Sequence, residues 1–325
     1  MNTTRRAFLA GAAAGIVLGP AVLHGASRRR AGTFFEWKAV AADIDAALGG
    51  GGNAMVIRGK SAAALVDCKL SPLGLVLRRE AEALGTPLTQ VINTHHHADH
   101  TGGNHAFAGA APIVAHEAAL ARIKGQVERY VGGLRDAERM IGDRTGPEAD
   151  GVRADVRAIK ERLATISEKD FMPTASFAGV KTLDIGGVEV MLRHLGPAHT
   201  DNDVIVRVPA ANVIHTGDLL FMGRHPVIDR GAKATTLGWI AALRQIIELC
   251  DAKTRVVPGH GELTDVGGLR GQIEYFERMR EWIGGELKAG RTREEILKLP
   301  VPSAYEKYGN AERAIGAMVD ELSEK

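Results

Sequence analysis

Thr94-His95-His96-His97-Ala98-Asp99-His100 places four histidines and a carboxylate in seven residues, directly after the apolar run Leu88 to Ile92. That run reads as a buried strand, and a loop leaving a strand is where binding side chains collect. Side chains alternate along extended backbone. His95 and His97 therefore point the same way, Asp99 and His100 turn toward a neighbouring point, and His96 faces away. Two metal ions close together would fit. Imidazole and carboxylate suit zinc, iron or manganese, and the second nitrogen of each ring can be oriented by a further partner. A histidine-rich surface loop is the plainer reading, and the distant partners below weigh against it.

Upstream, Leu70 to Leu84 carries apolar residues at helical spacing, closed by Gly85-Thr86-Pro87, so a helix leads into the histidine strand. Gly49 to Gly52 precedes two strand-like runs, Asn53 to Ile57 and Ala62 to Val66, which read as the hairpin opening a sheet. No Lys-Ser/Thr follows those glycines, so they read as a turn and not as a phosphate cradle. Asp67 ends the second run and is expected to support the site or the strand end. Phe34 to Leu48 shows no period that assigns it.

Downstream, Pro112 to Ala115 reads as a strand and Glu117 to Ile123 as a helix, while His105 and His116 lack partners at ligand spacing. Residues 124–172 change character: Val152, Val156, Ile159, Leu163 and Ile166 mark an amphipathic helix, with a less regular one over Val127 to Ile141. This helical insertion reads as a covering layer, with a lid as the alternative. Strands then return over Lys181 to Ile185, Val188 to His194, Val204 to Val208, Asn212 to His215 and Thr254 to Val257. Three of these are followed by a metal-type side chain: His199, Asp218 and His260.

His95-x-His97-x-Asp99-His100, Gly196-x-x-His199-Thr200, Gly217-Asp218 and Gly259-His260-Gly261, in that order, resemble the metallo-β-lactamase superfamily over about residues 50–270. The resemblance implies an α/β fold, a four-layer αββα sandwich with extra helices, and a dinuclear site along one edge. It implies that His95, His97 and His199 hold one metal, that Asp99, His100 and His260 hold the second, and that Asp218 bridges them. Zinc is the expected metal, with iron or manganese as alternatives. Such ions lower the pKa of water from about 15.7 toward about 7 and polarise a carbonyl, which would let a metal-bound hydroxide attack a cyclic amide, ester, thioester or lactone. Asp99 would orient that hydroxide and take up its proton.

The resemblance divides over substrate. Members with a cysteine ligand carry it where Asp218 stands, and the lysine that grips a β-lactam carboxylate falls on Phe221, with Arg224 or His225 as possible substitutes. Asp at this position is more typical of thioesterases, lactonases and other hydrolases, and no basic C-terminal grip for glutathione is recognisable. A reading from another class is a persulfide dioxygenase-like oxidoreductase with one iron on His95, His199 and Asp218.

Arg5-Arg6 before Phe8-Leu9, then an uncharged run to Leu23 and small residues to Ala26, resemble a twin-arginine signal over residues 1–26. Export to a periplasm by machinery for folded proteins is the expectation, and the apolar run is too short for a comfortable membrane span. Lys and Arg number 41 against 39 Asp and Glu, and removal of Arg5 and Arg6 equalises them, so nothing points to a nucleic-acid partner. A small-molecule substrate is expected. Cys68 and Cys250 read as small core residues that an exported protein could also join. The main domain is expected over 34–289. Within it, Leu237, Ile240, Leu243 and Ile247 form the inward face of one helix, and Gly284-Gly285 loosens the end of another. Residues 290–325 form a C-terminal helical extension.

Overall fold

The computed structural model describes residues 33–140 and 147–324. The expected signal segment lies outside them. The first sheet has seven strands in sequence order: β1 Glu36–Ala41, β2 Ile44–Leu48, β3 Ala54–Arg58, β4 Ala63–Val66, β5 Leu88–Ile92, β6 Ile113–His116 and β7 Ala175–Phe177. Its first four strands run antiparallel through hairpins, and β4 to β7 pair in parallel. Parallel neighbours need crossovers, and six helices lie in these connections. They are α1 Gly74–Glu82, α2 Ala98–Thr101, α3 Ala119–Lys124, α4 Val127–Arg135, α5 Pro147–Arg162 and α6 Glu168–Phe171. The second sheet takes β8 Val180–Ile185, β9 Val188–His194, β10 Val204–Val208, β11 Val213–His215 and β12 Arg255–Val257 in the order β12-β11-β10-β9-β8. Four more helices belong to this half: α7 Thr236–Glu248 between β11 and β12, then α8 Val266–Lys288, α9 Arg293–Leu297 and α10 Ala311–Ser323 after β12.

Alternation makes the layers. Met55, Ile57, Ala64, Val66 and Ile92 face Val190, Leu192, Val204, Val206 and Val213 of the other sheet across one buried cluster. Val56, Leu65 and Val91, of opposite parity, pack on Val76 and Leu77 of α1 and Val152 and Val156 of α5. On the far side, Ile205, Ile214 and Val256 meet Trp239, Leu243 and Ile246 of α7 and Phe276, Met279 and Ile283 of α8. The result is helix, sheet, sheet, helix, as expected. Each of these large side chains contributes roughly 1.5–3 kcal/mol on burial. Ile296, Ile315, Met318 and Val319 belong to that same outer cluster, so the residues after 290 cover the second sheet's helices continuously.

Four expectations need correction. The sheet opens one hairpin earlier than read, because Phe34 to Leu48 holds β1 and β2; a bulge between Ala39 and Ala41 and a buried Lys38, ion-paired to Glu262, hide the alternation. In α7, Leu237 is 60% exposed, and the inward face is Trp239, Ile240, Ala242, Leu243 and Ile246. Gly284 and Gly285 stay inside α8, whose apolar face extends to Ile283. The amphipathic stripe outlasts its helix: α5 ends at Arg162, and Leu163 and Ile166 still pack against the Tyr130 and Phe171 cluster. Both cysteines are free, Cys68 buried and Cys250 half-buried. No helix among the described residues is long and apolar enough to cross a membrane.

Candidate metal centre

The strand ends of both sheets meet at one cleft. β5 stops at Ile92, Thr94 to His96 bend, His97 is extended, and α2 starts at Ala98, which puts Asp99 and His100 on its first turn. His199 lies in the loop from β9 to β10, which Asp203 pins by accepting from the Thr200 backbone N and Oγ1, both at 2.7 Å. Asp218 lies in the turn after β11, and His260 follows β12. Two glycines permit the approach. A Cβ on Gly259 would sit 2.0 Å from Asp218 Oδ1, and one on Gly52 would sit 2.1 Å from His100 Cε1.

All seven residues expected from sequence come together. His95, His97, His199 and Asp218 form one group whose donor atoms lie within 4.8 Å of one another, and Asp99, His100 and His260 form a second. Asp218 stands between: Oδ2 is 3.5 Å from His199 Nε2 and 3.4 Å from His260 Nε2, and Oδ1 is 3.0 Å from His100 Nε2. His260 Nε2 also lies 3.2 Å from Asp99 Oδ2. These contacts do not satisfy the donors. His95 Nε2, His100 Nε2 and Asp218 Oδ1 are buried without a hydrogen bond, and buried polar atoms left so are costly unless something else binds them. A divalent cation fits this set.

The outward nitrogens are fixed. Asp67 accepts from the Thr94 backbone N at 2.8 Å and from Thr94 Oγ1 at 2.7 Å, and pairs with His100 Nδ1 at 2.7 Å. Thr94 Oγ1 in turn lies 3.1 Å from His95 Nδ1. His199 Nδ1 donates to the Val227 carbonyl at 2.7 Å, and His97 Nε2 donates to Asp229 Oδ2 at 2.9 Å. His97 Nδ1 then faces His199 Nε2 at 3.0 Å. Second-nitrogen partners of this kind set tautomer and ring orientation.

Charge separates the two groups. Burial pushes His95 well below the ordinary imidazole value and His199 to about 3, with neighbouring imidazoles adding to the effect. Burial also opposes protonation of His100 and His260, but Asp218 and the other carboxylates outweigh it, raising His100 well above the ordinary value and His260 to about 9. Asp218, although burial would raise it, is held well below the carboxylate range by His260 and His100. A cation entering the second group must displace those protons.

Sequence reasoning missed three features. Asp229 has no motif around it and reaches His97 only through the fold. Lys69 is wholly buried, and its ammonium donates to the carbonyls of Ala47, Gly49 and Gly52 at 2.8, 2.8 and 2.6 Å, beneath the glycine turn that touches His100 and Asp99. Its only sequence signal is a lysine flanked by apolar residues after Asp67. His96 stays out of the group around Asp218, as expected, but it is buried: Asn202 Nδ2 donates to its Nδ1 at 3.0 Å, and Asp229 lies 3.6 Å from its Nε2. Of the two residues weighed as a carboxylate grip, Arg224 is exposed on the cleft wall. His225 is buried, with Nδ1 2.6 Å from the Tyr275 hydroxyl.

A family profile described as the metallo-beta-lactamase superfamily matches residues 47–260. The chain is 26% identical over 131 residues to a metallo-beta-lactamase type 2 of Bacillus cereus, covering 40% of this chain and 50% of that protein. It is 35% identical over 107 residues to a hydroxyacylglutathione hydrolase of Rhodospirillum rubrum, covering 32% and 35%. The chain thus spans half or less of the length of these curated relatives. Among solved structures, a metallo-beta-lactamase from Pontibacter korlensis superposes with a TM-score of 0.55 at 18% identity, over 75% of this chain and 99% of that one. DIM-1 metallo-beta-lactamase does so with 0.54 at 16%, over 75% and 97%. At that identity the likeness is one of fold.

Proposed function

The chain belongs to the metallo-beta-lactamase superfamily, and on that premise we propose that it is an exported metal-dependent hydrolase. Its site takes two divalent ions, zinc by default, and cleaves a cyclic amide, ester, thioester or lactone. The observation that carries this reading is the convergence of seven donors around Asp218, with three buried donor atoms left without hydrogen bonds. His95, His97 and His199 would hold one ion and Asp99, His100 and His260 the other, with Asp218 between the two groups. Ions in such a donor set acidify water and polarise a carbonyl.

This chain's own residues do the rest. Asp67, Thr94, Asp229 and the Val227 carbonyl hold the imidazoles in orientation. Asp99, with a partly exposed side chain, lines the cleft. Without a cation its carboxylate, which burial alone would raise, is held well below the ordinary range by His100 and His260. As a carboxylate it can accept a hydrogen bond from water and take up a proton as a leaving group departs. The arginine pair Arg5-Arg6 supports export.

The test is turnover of a chromogenic cephalosporin, an acyl thioester and an aliphatic lactone by zinc-loaded and chelator-stripped protein, with His97→Ala as the control for contaminants. Zinc-dependent hydrolysis of at least one, lost in the variant, is expected. Two bound zinc ions without turnover of any would sink the hydrolase reading and leave the metal centre standing.

A further inference from the structure

Beside the metal cleft lies a second pocket of about 380 Å³, and Phe221 and Arg224 line both. Aromatic residues make up only 5% of the chain, yet three of its four tyrosines stand in this wall: Tyr275 on α8, and Tyr305 and Tyr308 between α9 and α10. Their rings pack on one another, with centroids 4.9 Å apart for Tyr275 and Tyr305 and 5.6 Å for Tyr305 and Tyr308, and this cluster, buried at Tyr275 and Tyr305 and half-buried at Tyr308, walls one side of a cup. Phe221 is the partition, for its ring stacks on His260 at 5.1 Å and 18° while also lining the cup. His225 lines the metal cleft and holds the Tyr275 hydroxyl, so the two spaces are tied together from behind. All three tyrosines lie after residue 260, beyond the residues that the family profile matches.

We propose that this cup seats the aromatic arm of the substrate cleaved at the metal centre, which makes the substrate an aryl-substituted acyl compound. The inference rests on the hydrolase reading above. Edge-to-face packing of a planar ring against three tyrosines favours an aromatic group over a short aliphatic one. Arg224, with no ion-pair partner among the described residues, stands at the junction where its guanidinium can lie on that ring. In a thioester the acyl carbon–sulfur bond breaks, water supplies the hydroxyl to the acyl carbon, and its remaining proton goes to the thiolate.

The experiment compares phenylacetyl and acetyl thioesters of one small thiol with the zinc-loaded full chain. It also follows phenylacetate binding by ligand-observed NMR, with and without metal. The ratio of kcat/KM is expected to favour the phenylacetyl ester by on the order of tenfold or more. Ala304→Phe, which fills the cup from its exposed rim, and Tyr308→Ala, which removes a wall, should each lower that ratio at least threefold while thermal melting shows both variants folded. A ratio near one, or a ratio that neither variant moves, overturns the proposal. If neither ester turns over but phenylacetate binds and Ala304→Phe abolishes that binding, the cup stands and the hydrolase reading falls. No turnover and no binding removes the cup.

Discussion

The two donor groups of the candidate metal centre stand on different ground. The Asp99, His100 and His260 half rests on a sealed floor: Asp67 is wholly buried against His100, and Lys69, also buried, clamps the glycine turn that touches both His100 and Asp99. The His95, His97 and His199 half is oriented largely from the loop between β11 and α7, through the Val227 carbonyl and a half-buried Asp229. The floor is also strained, because Asp67 and Lys69 both adopt left-handed backbone, φ 62° and 66°, at about 1–2 kcal/mol each for a residue with a Cβ. Strain of that kind persists only where packing over-determines it. One half therefore depends on the core, the other on a loop, and disturbing each should be read by a different instrument.

Asp218 belongs to both halves, so Asp218→Ala is the largest effect expected. It should remove high-affinity binding of both ions and lower turnover by roughly three orders of magnitude or more, with circular dichroism unchanged. Retention of two tightly bound ions would break the assignment of Asp218 to the middle.

Lys69→Met comes next and acts on the floor alone. The change relieves the cost of burying an ammonium but leaves three carbonyls unpaired, at about 1–3 kcal/mol each. The second effect wins, for a net loss of roughly 2–4 kcal/mol in denaturant unfolding. Its pH dependence is specific. Burial lowers Lys69 from 10.5 to about 7, although Asp67 and Asp99 pull the other way. Between those values the unfolded chain holds a proton that the folded chain does not. Stability contributed at this site therefore rises with pH across that window and is level below it. Methionine cannot titrate, so the deficit of the variant should widen from pH 7 to pH 9. A constant deficit would mean that the buried amine keeps its proton throughout.

Legibility follows the same division. The ligands were readable because each follows a strand end in a short turn-rich motif, so chemistry and local geometry are written in neighbouring letters. The strands β3, β4, β9 and β10 are legible as apolar runs bounded by turn residues, while their arrangement in layers comes from the family resemblance. Where alanine, a bulge and an ion-paired lysine blur the alternation, as in β1 and β2, the period vanished although the strands are there. In α7 the stripe through Leu237 misleads, since any helix with apolar residues in excess offers more than one stripe and only the neighbouring layer decides. The floor and the orienting loop were illegible for a different reason. Lys69 and Asp229 act over 17 to 22 and 132 residues of separation, and an isolated charge carries no mark of the partner the fold will bring.

Asp229→Asn tests the loop half by itself. The asparagine oxygen still accepts from the Ala232 backbone N, as Asp229 Oδ1 does at 3.0 Å, so the short turn from Arg230 to Ala232 keeps its cap. Stability should change by less than about 1 kcal/mol. What is lost is the carboxylate facing His97 Nε2. Without that charge the ring's basicity falls, and its orientation toward His199 is held less firmly. Competition with a chromophoric chelator should show one zinc ion bound about 10–100-fold more weakly and the other scarcely changed. Two ions weakened equally would mean that the halves share one support, and no weakening would mean that the Val227 and Thr94 contacts orient the group without Asp229. A loss confined to one ion, with melting unchanged, is the signature of a ligand group hung from a loop beside one built into the core.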